Sequence, residues 1–274
     1  NLLNRLTIIS KDIKKAKVKK ISKKIQKKYL KRELHLLNQE LLNGDVVRIP
    51  LDPGVRVSLF EIDECKVMSS AKAPLWLVFK NADPYAHDKY IPPKLSFGYN
   101  KYSTKQRSHK QKIKDAKQKK RNKSYGQIKI KKSYKYEVLF KVGDDLRQDA
   151  LTLQLLGVMD AFWLKKNYDL RMKPYSVIQT GNSIGLVELV LNAKTTQAIH
   201  DKHGKFGGAF RKEAHYFFLQ SNHPISETSK TREIQRFKTA QEYYARSCAG
   251  YSVATWILGI GDRHPDNIMI HRNG

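Results

Sequence analysis

Apolar residues recur at two different spacings along this chain, and these spacings predict its helices and strands. Across residues 1–43 they recur every three or four positions with lysines between them, which predicts helical structure closed by Asn43-Gly44. The apolar positions are Val18, Ile21, Ile25, Tyr29, Leu30, Leu34, Leu37 and Leu41. Short apolar or alternating runs follow, separated by Asp-Pro-Gly and Ala-Pro breaks, and they predict strands. These runs are VVRIPL (46–51), VRVSLFEI (55–62), KVM (66–68) and LWLVF (75–79).

The second half of the chain predicts one more strand, a long helix, a hairpin and then mostly helix. YEVLFKV (136–142) has the strand pattern, and an amphipathic helix is predicted from about Arg147 to Lys165. Gly181-Asn182 joins strands at 175–180 and 184–191, as is typical of a hairpin. After Leu191 we expect helix, most strongly over 231–258, before a polar loop, a short strand and a terminal turn. Strands first and helices afterwards predict a two-lobed α+β fold, and clefts between lobes are favoured ligand sites.

Charge is concentrated in two segments of the chain. The 274 residues contain 53 Lys and Arg against 25 Asp and Glu, a net charge of +28. Residues 11–33 carry +10 and residues 101–135 carry +14, so the other 216 residues carry only +4. From about 83 to 135 no apolar period persists, which predicts a solvated Lys-rich insertion with a β-hairpin at its end. Basic runs also bind phosphate backbones, so a nucleic-acid-binding protein is one alternative.

Several classes of protein are excluded by the sequence. No apolar run reaches the roughly 18–20 residues that a membrane-spanning helix needs. Cys65 and Cys248 are the only cysteines, which excludes a disulfide framework and favours a reducing, intracellular compartment. Neither GxxxxGK[ST] nor GxGxxG occurs, so the two commonest nucleotide-binding motifs are absent.

Three polar segments carry residues suited to phosphate chemistry. GDRHPDN (261–267) places acids, Arg, His and Asn together, which suits proton handling and metal binding, although it also fits a polar surface loop. In FKVGDDLRQD (140–149), Lys141 leaves the face that its neighbours bury and could hold a nucleotide phosphate, or it is a solvated strand lysine. VMSSAKAPLW (67–76) could cradle phosphate with hydroxyls, amides and a lysine, or form an ordinary turn.

Taken together, these segments resemble the catalytic domain of phosphoinositide 3-kinases, most of all class I. FKVGDDLRQDALTLQLLGVMDAFW is similar to that family's lysine strand and following helix, GNSIGLVELVLNAKTT to its hinge, and SCAGYSVATWILGIGDRHPDNIMI to its catalytic loop. RIPLDPG and CKVMSSAKAPLWLVFKNADP are similar to the start of the small lobe. The resemblance covers roughly 46–84 and 136–274. It implies a kinase-like fold with a basic helical lead-in (1–45), a small lobe (46–190, with the insertion at about 85–135) and a partial large lobe (191–274).

The resemblance also implies roles for individual residues. For the ATP phosphates, the expected residues are Met68, Ser70 and Lys72 in the phosphate-binding loop, together with Lys141. For adenine, they are Trp76 with Met68, Met269 beneath the ring, and Glu188, Leu189 and Val190 at the hinge. Asp149 and Tyr175 are expected on the inner wall of the site. Asp262, Arg263 and His264 would serve transfer to the lipid hydroxyl, with Asn267 binding Mg²⁺. The order Asp-Arg-His inverts the His-Arg-Asp of protein kinases and favours a lipid kinase.

The chain also departs from the family pattern. Ala150 replaces a usual Met and Ala73 a frequent Arg, and the insertion is longer and more basic than usual. The sequence ends at Gly274, before the Asp-Phe-Gly whose Asp binds a second metal and before the loop that selects the lipid headgroup. We therefore expect a catalytic-domain fragment that is not by itself a competent kinase.

The resemblance implies a substrate and partners as well. The expected activity is ATP- and Mg²⁺-dependent phosphorylation of the inositol 3-hydroxyl of membrane phosphoinositides, in the cytoplasm and at membranes. Peripheral membrane association and room for a regulatory subunit follow, and no nucleic-acid partner is expected. The alternative within the family is a phosphatidylinositol 4-kinase, which shares the lysine and Asp-Arg-His elements.

Overall fold

An antiparallel sheet of seven strands forms the centre of the N-terminal half of the chain. The computed structural model describes residues 2–40, 47–70, 72–82, 135–202, 213–223 and 230–274. The strands of this sheet are β1 (Val47–Ile49), β2 (Asp52–Phe60), β3 (Lys66–Val67), β4 (Leu75–Asn81), β5 (Lys135–Val142), β6 (Val177–Gly181) and β7 (Ile184–Glu188). Their order is β1-β2-β4-β5-β7-β6, with β3 paired to β4, and every pairing is antiparallel.

The helices lie at the N-terminus, between β5 and β6, and in the C-terminal part. They are α1 (Leu2–Val18), α2 (Lys23–Glu40), α3 (Arg147–Lys165), α4 (Thr196–Lys202), α5 (Ala214–Asn222) and α6 (Lys230–Ile257). A second sheet of two strands, β8 (Ala193–Thr195) and β9 (Met269–His271), follows the hinge and ends the described chain. The predicted α+β class is confirmed. None of the helices in the described ranges is both long and apolar enough to cross a bilayer.

Helices α1 and α2 pack on one face of the seven-stranded sheet. Their buried leucines and isoleucines join one core with alternate residues of β4, β5 and β7. The members are Leu6, Ile9, Ile13, Leu30, Leu34 and Leu37 from the helices, and Leu75, Leu77, Phe79, Val138, Phe140 and Leu186 from the strands. The lysine-rich N-terminal segment is therefore built into the core of this sheet. The domain boundaries at 45 and 190 stay a prediction.

The helical prediction for residues 1–43 is confirmed over the described residues 2–40, with a break, and the closure predicted at Asn43-Gly44 lies outside the described residues. The backbone turns at residues 19–22, so two antiparallel-packing helices replace one continuous run. Val18 and Ile25 are 83% and 58% exposed, because they flank that turn instead of facing the sheet. The apolar phase of α1 is instead set by Leu6, Ile9 and Ile13, which are essentially fully buried.

Strand β5 shows the alternation that its sequence predicts. Phe140 and Val142 are buried in the helix-covered face, and Lys141 between them is only partly exposed on the other face. The pairing of β5 with β7 places Lys141 opposite Gly185. A Cβ at Gly185 would lie 2.3 Å from the carbonyl oxygen of Ile178 and 2.6 Å from Leu146, so only glycine lets these segments approach.

The segment from 83 to 134 lies outside the described residues, together with the hairpin predicted at its end. Its two attachment points are described. Strand β4 ends at Asn81, β5 begins at Lys135, and the pairing of Lys80 with Lys135 makes these strands adjacent. Because Leu75 pairs with Phe140 at the other end, the insertion joins the sheet at the end away from Lys141.

The C-terminal part begins with a short strand where the sequence predicts helix. After Leu191 the chain forms β8 before its first helix, and β8 pairs with β9 in a register that sets Lys194 opposite Ile270. A three-residue strand is too short for periodicity to reveal. Helices α4, α5 and α6 and strand β9 share a second core, made of Ile199, Ala214, Phe218, Leu219, Phe237 and Ile270. The long helix predicted at 231–258 is confirmed as α6.

Replacing Leu34 with Ala should destabilise the sheet and its two helices together. Leu34 is fully buried in the shared core, and a buried Leu→Ala change costs about 2–5 kcal/mol of unfolding free energy. Leu36→Ala is the matched control, because Leu36 lies on the same helix and is 38% exposed. Chemical denaturation of both variants measures the difference. Equal losses would show that α2 does not belong to this core.

His271 should make stability depend on pH below neutrality. Burial, and then the charges of Lys173 and Arg272, lower the pKa of His271 to about 4. The unfolded chain, with a histidine pKa of about 6.5, therefore binds the proton first as the pH falls. The stabilisation from a neutral His271 is full above about pH 6.5 and is lost as the pH falls toward 4.

His271→Gln should flatten that dependence. We expect a smaller loss of unfolding free energy between pH 7.5 and 5 in this variant than in the unmodified protein. The control for the side-chain change is His35→Gln, at an exposed position of α2. An imidazole resonance of His271 that titrates near 6.5 in NMR spectra would contradict the expectation.

Candidate nucleotide and catalytic site

Two of the predicted lysines converge on one carboxylate at the end of β5. Lys141 Nζ lies 3.3 Å from Asp144 Oδ2, and Lys72 Nζ lies 3.5 Å from Asp144 Oδ1. Lys72 Nζ also donates to the carbonyl oxygen of Gly143 at 2.9 Å. The phosphate-binding loop (68–74) and the lysine strand therefore place their ammonium groups side by side, as binding to a polyphosphate requires.

The backbone of the 142–144 turn brings these groups together. Gly143 has φ of 75°, a left-handed conformation that favours glycine. The N–H groups of Gly143 and Asp144 donate to the carbonyl oxygen of Ser183, at 2.6 and 3.3 Å, which ties the turn to the β6–β7 hairpin. The next residues begin α3, where Asp145 accepts hydrogen bonds from the Arg147 side chain and backbone, and these bonds lower the pKa of Asp145 to about 2.

The phosphate-binding loop is closed by its own backbone. Met68 N–H donates to Pro74 O and Ala73 N–H donates to Ser70 O, both at 2.9 Å. Ala73 is fully buried with φ of 45°, so its methyl group holds the base of the loop while Ser70 and Lys72 stay exposed. Met68 and Ser70 therefore lie in the same loop as Lys72, and both take part in its backbone hydrogen bonds.

The side of the sheet that carries Lys141 also carries Trp76, one of the predicted adenine residues. The Trp76 Nε1–H donates to Glu137 Oε2 at 3.0 Å, and Lys66 Nζ lies 4.0 Å above the indole ring. These contacts fix the orientation of the indole. The pairing of β5 with β7 ends at Glu188, and Leu189 and Val190 follow as the predicted hinge.

The start of β6 orients the hinge. Glu188 N–H donates to Ser176 O, and Ser176 N–H donates to Glu188 Oε2, both at 2.8 Å. Both the backbone and the side chain of Glu188 are therefore fixed by Ser176 at the end of β7. Met269 lies on β9 and is half exposed.

Tyr175 connects the inner wall with the catalytic loop. Burial, and next the carboxylate of Asp149, raise the pKa of Tyr175, whereas the guanidinium of Arg263 opposes that rise. Asp149 at the start of α3 and Arg263 in the 262–267 loop are thus close enough to Tyr175 to change its ionisation. Three predicted site residues from three segments share one neighbourhood.

The 262–267 loop gathers the predicted catalytic residues. The Asn267 Nδ2 group donates to the Asp262 carbonyl at 2.8 Å and to Asp262 Oδ2 at 3.2 Å. His264 Nδ1 accepts the Asp266 N–H at 3.2 Å, and His264 Nε2 lies 3.9 Å from Asp262 Oδ1. Asp262 has φ of 55°, which turns the chain sharply at the start of the loop. Among the described residues, no hydrogen bond joins this loop to Lys141.

The loop is braced by the helix that follows the hinge. Thr196 donates through its hydroxyl to Pro265 O at 2.8 Å and through its N–H to Ile268 O at 2.9 Å. Because Thr196 follows β8, the hinge and the catalytic loop are joined within a few residues.

Asn267 is suited to bind a magnesium ion. Its amide nitrogen is engaged by Asp262, so its amide oxygen is the atom left for a cation, and Mg²⁺ prefers oxygen ligands. Magnesium usually takes few protein ligands and completes its shell with substrate phosphates and water. The described parts of the chain hold no group of three or more His, Cys, Asp or Glu that could hold a metal ion.

Two contributing residues were missed by the sequence reasoning. Asp144 joins the two lysines, and Glu137 holds Trp76. The signal for Asp144 was present, because an acid three residues after a strand lysine sits in the turn that the lysine approaches. Glu137 had no signal, because its partner lies on a neighbouring strand 61 positions away.

Comparison with known proteins agrees with this geometry. The sequence profile of the family described as "Phosphatidylinositol 3- and 4-kinase" matches residues 135–274. "Phosphatidylinositol 3-kinase 2" of Dictyostelium discoideum is 37% identical over 230 residues, which is 84% of this chain and 9% of that protein. "Phosphatidylinositol 3-kinase 3" of the same organism is 34% identical over 258 residues, 94% of this chain and 12% of that protein.

A third relative supports the same assignment. "Phosphatidylinositol 3-kinase 1" of Dictyostelium discoideum is 46% identical over 140 residues, which is 50% of this chain and 8% of that protein. The chain thus spans only about a tenth of the length of these curated relatives. The matched segment contains β5, the hinge and the 262–267 loop, and the chain belongs to the phosphatidylinositol 3- and 4-kinase family.

Proposed function

We propose that this chain is catalytic-domain sequence of a phosphoinositide 3-kinase, which transfers the terminal phosphoryl group of ATP to the inositol 3-hydroxyl. The observation that carries the proposal is the convergence of Lys72 and Lys141 on Asp144, because it presents two cations to one polyphosphate. The family and the names of three relatives support it.

The nucleotide would be held by charge at one end and by shape at the other. Lys141 and Lys72, which both contact the Asp144 carboxylate, would bind the phosphates with their ammonium groups. The Ser70 hydroxyl adds a hydrogen bond donor at the loop. Adenine lies between Trp76 and Met68 on one side and Met269 on the other, with Glu188 O and Val190 N–H at its edge.

The 262–267 loop handles the proton of the lipid hydroxyl. Since His264 Nδ1 accepts the Asp266 N–H, the neutral ring carries its proton on Nε2, the nitrogen that lies nearer to Asp262. The Asp262 carboxylate is then the basic group of the pair. As the bond from phosphorus to the ADP oxygen breaks and the bond to the inositol oxygen forms, the hydroxyl proton passes to Asp262, and His264 stabilises the developing charge.

Two further groups hold charge around the transfer. The Asn267 amide oxygen would bind Mg²⁺, which when present neutralises phosphate charge. Arg263, held by a hydrogen bond from its Nε to Gly261 O at 2.9 Å, lies near Tyr175 and Asp149 on the inner wall. The Asp-Arg-His segment thus connects proton transfer with the wall of the nucleotide site.

The test is an assay of the full-length protein with Mg-ATP and phosphoinositide vesicles. We expect labelled product phosphorylated at the inositol 3-position. Lys141→Arg should reduce turnover on the order of 10²-fold, because a planar guanidinium does not reproduce a compact ammonium beside Asp144 and phosphate. Lys80→Arg, on the exposed side of β4, is the matched control and should keep its activity.

The product isomer separates the two activities of the family. Product phosphorylated only at the 4-position would replace the 3-kinase assignment with that of a 4-kinase. Near-normal turnover of Lys141→Arg would show that Lys141 is a solvated strand residue.

We also propose that the protein works in the cytoplasm and attaches to anionic membranes through the basic insertion. Support comes from the charge of +14 over residues 101–135 and from the attachment of the insertion at Asn81 and Lys135, away from Lys141. Each Lys or Arg near an anionic surface contributes about 1 kcal/mol of attraction. A regulatory subunit and membership of class I stay predictions.

Removing that charge should weaken membrane binding without changing the affinity for ATP. Deleting residues 101–130 keeps all of β5 and should weaken binding to phosphatidylserine vesicles by roughly tenfold or more, with little change on neutral vesicles. A replacement of equal length with Gly and Ser is the control for chain length and should match the deletion. Equal sedimentation of the unmodified and deleted proteins with anionic vesicles at near-physiological salt would rule this role out.

A further inference from the structure

Helix α1 contacts both segments that face the nucleotide phosphates. Lys17 Nζ donates to the carbonyl oxygens of Ser69 at 3.2 Å and Ser70 at 2.5 Å, within the phosphate-binding loop. Lys14 Nζ donates to the carbonyl oxygen of Val142, at the start of the 142–144 turn. Residues three apart lie on one face of a helix, so a single face of α1 spans the loop and the turn.

The ammonium of Lys14 is set closely against this turn. A Cβ on Gly143 would lie 3.1 Å from Lys14 Nζ, so the absence of a side chain at position 143 makes room for the ammonium. Burial lowers the pKa of Lys14, the Asp144 carboxylate opposes that effect, and the Lys72 ammonium adds to it. Lys14 therefore lies in the electrostatic field of the same two residues that define the phosphate site.

Attachment of α1 to the sheet does not account for these lysines. The helix is already anchored through Leu6, Ile9 and Ile13, which are buried in the shared core. Lys14, Lys72 and Lys141 face the single Asp144 carboxylate, so two of the three positive charges are not neutralised there, and burial of the Lys14 ammonium adds a desolvation cost. The arrangement becomes favourable when an anion with several charges binds there.

We propose that Lys14 and Lys17 are positioning residues of the nucleotide site, holding the phosphate-binding loop and the 142–144 turn at a fixed separation for a nucleoside triphosphate. This inference rests on the proposed function, and it assigns to helix α1 a role beyond packing. Lys14 and Lys17 act on the phosphates through the Ser69, Ser70 and Val142 carbonyls and through their charge. Contact between either lysine and adenine is not part of the proposal.

The experiment compares ATP with adenosine as ligands of the full-length protein. The variants are Lys14→Met, Lys17→Met and the double variant, because Met keeps the aliphatic stem and removes the charge. Lys15→Met is the matched control, since Lys15 is on the same helix, is 76% exposed and pairs with Asp12. Calorimetric titration with Mg-ATP and with adenosine, and thermal unfolding, are measured for each.

We expect the double variant to bind Mg-ATP about tenfold more weakly, with adenosine affinity and Tm close to those of Lys15→Met. The KM for ATP should rise by a similar factor with a smaller change in kcat. Lys17→Arg should restore binding, because a guanidinium can donate to both loop carbonyls.

The measurements distinguish a failure of this inference from a failure of the proposed kinase function. Unchanged ATP affinity in the double variant, when the unmodified protein binds ATP, overturns the inference alone. Equal losses for ATP and adenosine also overturn it, because they indicate a general loss of structure. If Lys14→Met unfolds, Lys17→Met decides, since that side chain lies at the surface. An unmodified protein that binds no Mg-ATP overturns both.

Discussion

Repulsion among like charges at the 142–144 turn is the constraint around which the site is built. Lys72 and Lys141 share the Asp144 carboxylate, and Lys14 reaches the same turn from α1. Three ammonium groups thus face one carboxylate, and an exposed ion pair contributes only about 1 kcal/mol or less. One carboxylate therefore leaves a surplus of positive charge. A polyphosphate relieves the surplus, and the cost of assembling it contributes to ligand affinity.

Two glycines allow this concentration of charge to form. Gly143 adopts the left-handed turn and leaves space for Lys14, while Gly185, opposite Lys141, lets Leu146 and the Ile178 backbone approach. A side chain at either position would push apart the elements that carry the ammonium groups. The positions of the lysines are thus set by how closely the backbone packs on both sides of β5.

Much of this architecture could be predicted from the sequence, because β5, α3, the β6–β7 hairpin and α6 have strong periodic patterns. Residues that depend on tertiary contact could not. Strand β8 has only three residues and exists because β9 pairs with it. The lysines of α1 have the pattern of a solvated face, and only the packing of Leu6, Ile9 and Ile13 brings that helix to the phosphate-binding loop. Periodicity predicts a helix and leaves its position in the fold open.

Some of the candidate site residues could likewise be predicted from the sequence, and others depend on tertiary contacts. Lys141 stands out by strand alternation, and the Asp-Arg-His segment by its composition. Glu137 acquires its role from Trp76 on a neighbouring strand, and Asp144, beside Lys141 in sequence, is also contacted by Lys72 from a distant loop. Neither of these two long-range contacts is written in local sequence. The resemblance to the kinase family supplied the order of the motifs, and the structure adds the contacts between them.

The two basic segments of the chain, 11–33 and 101–135, approach the seven-stranded sheet at different points. The first lies largely on α1 and α2 and reaches the 142–144 turn, whereas the second joins the sheet at Asn81 and Lys135. Lys141 lies six residue steps along the strand from Lys135, which is about 20 Å. Salt at physiological concentration screens exposed charges beyond about 8 Å, so charge at that attachment is not felt at the phosphate site. The positive charge near the proposed nucleotide phosphates therefore comes from Lys14, Lys72 and Lys141, and the attachment of the insertion at Lys135 adds nothing to it.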